Sequence, residues 1–175
     1  CGADEVDEAT FLADFRLPFG SFYDKRVPGR AHAELEELYD RFFPLSERTA
    51  EPIPHALDFV HGVKGAGCRL FVLSAVTASH FEEQAELLGF ENCFERTYLE
   101  VRDKREVISR ILDENQLDRT KTCFVGDMQH DVETARHGGI TSIAVLTGYD
   151  SLEKLAPTNP DAVSYKHNTH PTNGT

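Results

Sequence analysis

Up to about residue 65, apolar side chains recur at helical spacing; beyond it they gather into short continuous runs. Val6, Phe11, Leu12 and Phe15 share one face of a helix expected over 5–15. Leu17-Pro18-Phe19-Gly20 breaks it. A second helix is expected over about 30–43, with Leu35, Leu38, Tyr39, Phe42 and Phe43 on one side. A linker and a third helix fill 51–67. Pro54 suits the first helical position, and Ala56, Leu57, Phe59, Val60 and Val63 form the apolar face. Gly65-Ala66-Gly67 ends it.

From Cys68 the pattern changes. Leu70-Phe71-Val72-Leu73 is nearly all apolar, as a strand covered on both faces must be. A helix from about Ser79 to Leu88 follows, with Ser79 and Glu82 at capping-box spacing and Gly89 as its stop. Tyr98-Leu99 marks a weak strand. Val107, Ile108, Ile111 and Leu112 define a helix over about 103–115. Cys123-Phe124-Val125 is the next strand, and the helix after it ends at Gly138-Gly139. Ile143-Ala144-Val145-Leu146 is another strand, and Ala162-Val163 a last weak one. Strands alternating with helices predict βαβ units and a mostly parallel sheet. The Asn- and Thr-rich tail from Lys166 is expected to fray.

The 175 residues suffice for one domain with a core, or one domain and a small appendage. The net charge of −12 repels phosphate backbones and argues against nucleic-acid binding, while leaving room for a small anionic substrate in a local pocket. No apolar run approaches the ~20 residues that span a bilayer, so no membrane partner is expected. Cys1, Cys68, Cys93 and Cys123 are widely spaced and form no Cys-x-x-Cys pair. Cys68 and Cys123 stand in apolar runs and are expected to be buried; the usage suits a reducing cytoplasm.

Ligands of parallel sheets bind beyond the carboxyl ends of the strands. Three such ends are legible: Ser74-Ala75-Val76-Thr77, Gly126-Asp127-Met128-Gln129-His130-Asp131, and Thr147-Gly148-Tyr149. Ser74 offers a hydroxyl, and the turn through Ala75 offers backbone N–H groups, together a phosphate cradle. Lys104, at a helix start, can neutralise a phosphoryl oxygen. Asp127 suits a hard cation such as Mg²⁺. Asp131, one helical turn on, can hold a metal-bound water or orient Lys104. Taken singly, each has an ordinary use: Ser74 as turn former, Lys104 as a solvated helix start, Asp127 as an N-cap, Asp131 as a first-turn acid. Their order and placement favour a joint site for phosphoryl transfer with a divalent metal. His130 either faces the pocket entrance or lies in solvent. His55, His61 and His80 lack metal-ligand spacing, and His167 and His170 fall in the tail.

These motifs resemble a family. Leu70-Phe71-Val72-Leu73-Ser74 resembles the second motif of the haloacid dehalogenase superfamily, and Lys104 its third-motif lysine. Phe124-Val125-Gly126-Asp127-Met128-Gln129-His130-Asp131 resembles the fourth motif in its phosphatase form. The likeness spans about 51–165 and is nearest to phosphoglycolate phosphatase-type members. It implies a Rossmann-like, doubly wound parallel α/β sheet with a small helical cap. Residues 1–50 would be part of that cap, 51–165 the core and 166–175 a flexible tail. It implies a Mg²⁺-dependent phosphatase acting on a small phosphorylated metabolite through an aspartyl-phosphate. A second aspartate, two residues after the nucleophile, would serve as acid and base. Ser74, Ala75 and Lys104 would hold the phosphoryl group, Asp127 the metal, and Asp131 the metal shell or the lysine.

The family's first motif, an apolar strand ending Asp-x-Asp, has no counterpart here. Asp14-Phe15-Arg16 lacks the second aspartate and sits in a helical pattern. The resemblance places the missing strand centrally, between the strands ending at Ser74 and Asp127; its loss exposes two apolar edges. The native polypeptide is therefore expected to continue upstream of Cys1 by about 25–35 residues, the remainder of a usual domain. The chain alone is expected to be poorly stable and inactive. A non-catalytic binding or regulatory protein of the same fold is the alternative, although such a protein has no need of all four site residues. Dehalogenase chemistry needs no metal, and the Gly-Asp-x-x-x-Asp pair argues for one. Tyr23, Arg26 and Arg30 are candidate substrate contacts, and nothing in the pattern favours a monomer over a homodimer.

Overall fold

Strand pairing is parallel throughout the described residues, the outcome that continuous apolar runs separated by helices require. The computed structural model describes residues 4–42 and 51–164. Phe43 and the tail from Lys166 lie outside them. In chain order come α1 (Glu8–Asp14), α2 (Gly20–Arg26), α3 (His32–Phe42) and α4 (Ala56–Gly65). Then follow β1 (Phe71–Leu73), α5 (Ala78–Leu88), β2 (Arg96–Tyr98) and α6 (Ile108–Glu114). The remainder is β3 (Cys123–Gly126), α7 (Gln129–Gly138), β4 (Thr141–Val145), α8 (Leu152–Leu155) and β5 (Ala162–Ser164). The chain divides into two compact units, Cys1–Asp7 with Leu17–Lys104, and Glu8–Arg16 with Arg105–Thr175.

In the first unit β1 pairs with β2. α5 ends where Gly89 adopts a left-handed conformation, returning its N–H toward the last turn. Its N-cap is Thr77, so the Ser79–Glu82 capping box does not form: the helix starts earlier than the spacing suggests. Pro54 likewise precedes the N-cap His55 rather than opening α4. The pattern predicts no helix over Gly20–Arg26, where Phe22 and Tyr23 are the apolar side chains and two adjacent positions set no period. Burial is sparse here. Leu35, Ala85 and Cys93 are buried, but no residue of α4 is. Phe59 lies at the margin of the α4 apolar face and is 61% exposed. Tyr39 and Phe42 of α3 are also exposed.

The second unit holds the sheet β3-β4-β5. Val132 of α7, Ala144 of β4 and Leu155 of α8 form its core, with Leu146 and Val163 packed against it. Full burial of a leucine such as Leu112 or Leu155 contributes about 1.5–3 kcal/mol. A Cβ on Gly138 would stand 2.9 Å from Ile108 and 3.1 Å from Leu112, so α6 and α7 meet at a glycine. The helix expected over 103–115 is a 3-10 turn, Lys104–Glu106, followed by α6. β5 is fixed to β4 by Asp161, whose Oδ2 accepts from Ser142 N at 2.8 Å and Ser142 Oγ at 2.7 Å. The backbone bond first, then the hydroxyl bond, holds the Asp161 carboxyl below the usual range.

Cys68 and Cys123 are exposed, and Cys93 is the buried cysteine, a reversal of the expectation. Cys68 precedes β1. Cys123 belongs to β3, an edge strand whose alternate residues Cys123 and Val125 are uncovered.

Candidate active site

β3 delivers Asp127 at its carboxyl end, and α7 begins two residues later with Met128 as N-cap. Asp127 is therefore not the cap. Asp131, in the first turn of α7, turns back: its Oδ2 accepts from Met128 N and from Asp127 N, each at 3.1 Å. Its carboxylate is buried, and two N–H donors at the positive end of the helix offset the cost of that burial. The ordinary use foreseen for Asp131 is realised, and it fixes the loop that carries Asp127.

Asp127 is gripped from the loop after β4. Tyr149 N donates to its Oδ2 at 2.7 Å, and Asp150 N to its carbonyl at 3.2 Å. Two glycines permit these approaches. A Cβ on Gly126 would fall on the Asp131 carboxylate, and one on Gly148 on the Asp127 side chain.

The turn after β1 is equally ordered. Ser74 N donates to Tyr98 O at 2.9 Å, and Val101 N returns a bond to Ser74 O at 3.0 Å. Glu100 N bonds Val76 O at 3.0 Å. The Ser74 hydroxyl oxygen accepts from Val76 N at 3.2 Å, which leaves its O–H as a donor to an incoming oxygen. Ala75 is half-buried inside this turn. Lys104 opens the 3-10 turn and is 9% exposed, a burial unusual for lysine and unlike a solvated helix start. The candidates thus fall in two pairs: Ser74 and Lys104 in one unit, Asp127 and Asp131 in the other.

The donor set fits Mg²⁺. Asp127, after β3, and Asp131, in the first turn of α7, supply hard carboxylate oxygens four residues apart, and Mg²⁺ is commonly held by one or two carboxylates, the rest of its shell being water and substrate phosphate. A site built by protein alone would need more ligands, and no cluster of three or more His, Cys, Asp or Glu with metal-binding geometry occurs among the described residues.

His130 is 2% exposed and so neither solvated nor at an entrance; its carbonyl accepts from Thr134 Oγ1 at 2.7 Å. Tyr23 lies among Phe19, Phe22 and His32, and Arg30 pairs with Glu34. Sequence reasoning missed Asp150 and Lys154. Their four-residue spacing at a helix start was the available signal, but ordinary surface pairs share it.

Comparison with known proteins gives the same outline. Residues 20–145 match the family of haloacid dehalogenase-like hydrolases. A haloacid dehalogenase-like family hydrolase of Streptococcus pneumoniae is 19% identical, with 94% of this chain and 80% of that chain covered and a TM-score of 0.74. A predicted phosphoglycolate phosphatase of Haemophilus somnus is 14% identical at the same coverage, also with a TM-score of 0.74. A predicted phosphatase of Clostridium acetobutylicum is 15% identical, covering 91% of this chain and 78% of that chain, with a TM-score of 0.74. No curated protein matches the sequence.

Proposed function

The chain belongs to the haloacid dehalogenase-like hydrolase family, and on that premise we propose that it serves a Mg²⁺-dependent phosphatase of small phosphorylated metabolites. The observation that carries this reading is the Asp127 loop, where two carboxylates are held by backbone amides and two glycines leave room for them. Asp127 would hold the metal, with Asp131 as a second ligand or as the support it already gives. Ser74 O–H and the Ala75 amide would donate to the phosphoryl oxygens. The Lys104 ammonium would offset their charge; one well-placed donor of this kind is worth about 10²–10³ in rate. Bound Mg²⁺ would add positive charge against the phosphoryl oxygens.

The aspartate that attacks phosphorus, and the one that protonates the leaving group, would come from a strand outside these 175 residues. Two features support this. β1 and β3 are each paired on one side only among the described residues, and Val125 of β3 is 46% exposed. In this reading residues 1–50 belong to the cap and 51–165 to the core. A reducing cytoplasm accords with the free Cys68, Cys93 and Cys123. No helix among the described residues is long and apolar enough to cross a membrane.

The test uses the protein as it occurs in its source, with p-nitrophenyl phosphate as substrate. Hydrolysis is expected with Mg²⁺ and is expected to vanish in excess chelator. Equal rates in chelator would remove the metal from the reading.

A further inference from the structure

We propose that Asp150 and Lys154 are positioning residues for Asp127, a buried brace that holds its carboxylate in place for a cation; this rests on the metal reading given above. Asp150 lies in the loop after β4, and Lys154 four residues on in α8. The Asp150 side chain is 2% exposed, and that of Lys154 18%. An isolated carboxylate at such depth is costly, and here one oxygen is offset by a nearby charge and the other by a hydrogen bond. Oδ1 meets Lys154 Nζ at 2.5 Å, and Oδ2 accepts from Gln129 N at 2.8 Å.

Both contacts bear on Asp127. Gln129 N is the first amide of α7, two residues after Asp127. In the opposite direction, Asp150 N donates to Asp127 O, and the preceding amide, Tyr149 N, to Asp127 Oδ2. A further bond, Gln129 Nε2 to Lys154 O at 2.8 Å, ties the same two segments. The loop after β4 and the loop after β3 are therefore joined in both directions, with the Asp127 carboxylate at one end of the joint.

Lys154 completes the brace. Lys154 Nζ donates to Leu12 O at 2.9 Å and to Phe15 O at 2.8 Å, and its charge faces Asp150 Oδ1 as an ion pair. The first carbonyl belongs to α1 and the second to the residue just after it. Phe15 in turn stacks on Tyr149, ring centroids 5.0 Å apart. The loop carrying the Tyr149 amide is thus held from below by the ion pair and on its flank by α1. Removing the Asp150 carboxylate would leave Gln129 N without its acceptor and Lys154 without its counter-charge. The Tyr149 amide would then lose its fixed aim at Asp127.

The test measures Mn²⁺ affinity by electron paramagnetic resonance on the protein as it occurs in its source, together with amide hydrogen exchange at Tyr149. Both are taken well below the melting temperature of each variant. Asp150→Ala is expected to weaken Mn²⁺ binding about tenfold or more, the usual scale for groups that orient a metal ligand, and to accelerate Tyr149 exchange. Lys154→Met, which keeps the carboxylate, should shift both in the same direction by less, and it decides the matter if Asp150→Ala fails to fold. Asp161→Ala removes another hydrogen-bonded carboxylate of the same unit. It should lower stability while leaving Mn²⁺ affinity and Tyr149 exchange unchanged. Wild-type Mn²⁺ affinity in a folded Asp150→Ala protein would overturn the brace. Absence of Mn²⁺ binding by the wild-type protein would instead overturn the metal reading. The brace would then stand if Tyr149 exchange accelerates in Asp150→Ala, and fall if it does not.

Discussion

Alanine at position 148 tests whether Asp127 stands where a metal ligand must. The Gly148 backbone lies outside the left-handed region, so the effect is steric. A Cβ there would come within 2.6 Å of the Asp127 Cβ and closer still to its carboxylate. Carbon atoms rest about 3.5–4.0 Å apart, an overlap of roughly 1 Å. Rotating the side chain cannot relieve it, because Cβ itself is too near, and the loop must shift. Overpacking of this kind costs about 1–3 kcal/mol. The Tyr149 N–H bond to Oδ2 is charge-assisted, and losing it costs about 1.5–3 kcal/mol when buried. Asp127 is half-buried, so water recovers part of that. A combined loss of about 2–4 kcal/mol follows. At about 2–4 °C per kcal/mol for a chain of this size, Tm should fall by roughly 4–16 °C. Mn²⁺ affinity should fall at least about tenfold. Thermal melts and a Mn²⁺ titration read both. A Gly148→Ala protein with the wild-type Tm and the wild-type Mn²⁺ affinity would refute the placement of Asp127 against this glycine.

Other sites respond differently. Gly62 is inside α4, and a Cβ there meets nothing within 4 Å; Gly62→Ala should therefore stabilise by about 0.5–1 kcal/mol, seen as a small rise in Tm, and a fall would show that the helix is not formed there. The Asp161 pKa is depressed in the folded state, so its contribution is present above the ordinary aspartate pKa and is lost as pH falls through the lower folded value. The gap in urea midpoint between wild type and Asp161→Asn should accordingly narrow on acidification from about pH 5 to pH 3; a gap independent of pH would contradict the Ser142 bonds.

Much of this architecture was legible in the chain. Leu70–Leu73, Cys123–Val125 and Ile143–Leu146 are apolar on successive positions, and helices separate them, so parallel pairing followed from the pattern alone. Gly89 and Gly139 marked helix ends because their conformation is a local property. Ser74, Asp127 and Asp131 could be singled out as candidates because ligands of such sheets bind beyond the strand ends, and Lys104 because it opens a helical turn between them. What depends on neighbours was not visible. Cys123 sits in an apolar run yet is exposed, because the face of β3 that carries Cys123 and Val125 is uncovered. His130 is buried although both of its flanking positions are polar. Asp150 and Lys154 carry no motif at all; Lys154 bonds to Leu12 O and Phe15 O, more than a hundred residues away in sequence.

The role of Asp127 is tested most directly by Asp127→Asn in the protein as it occurs in its source, assayed on p-nitrophenyl phosphate in Mg²⁺. The substitution keeps size and hydrogen bonding but removes the charge that a hard cation needs. Hydrolysis should fall by about tenfold to a hundredfold, with the Tm little changed. Hydrolysis at the wild-type rate would contradict Asp127 as the residue that holds the metal.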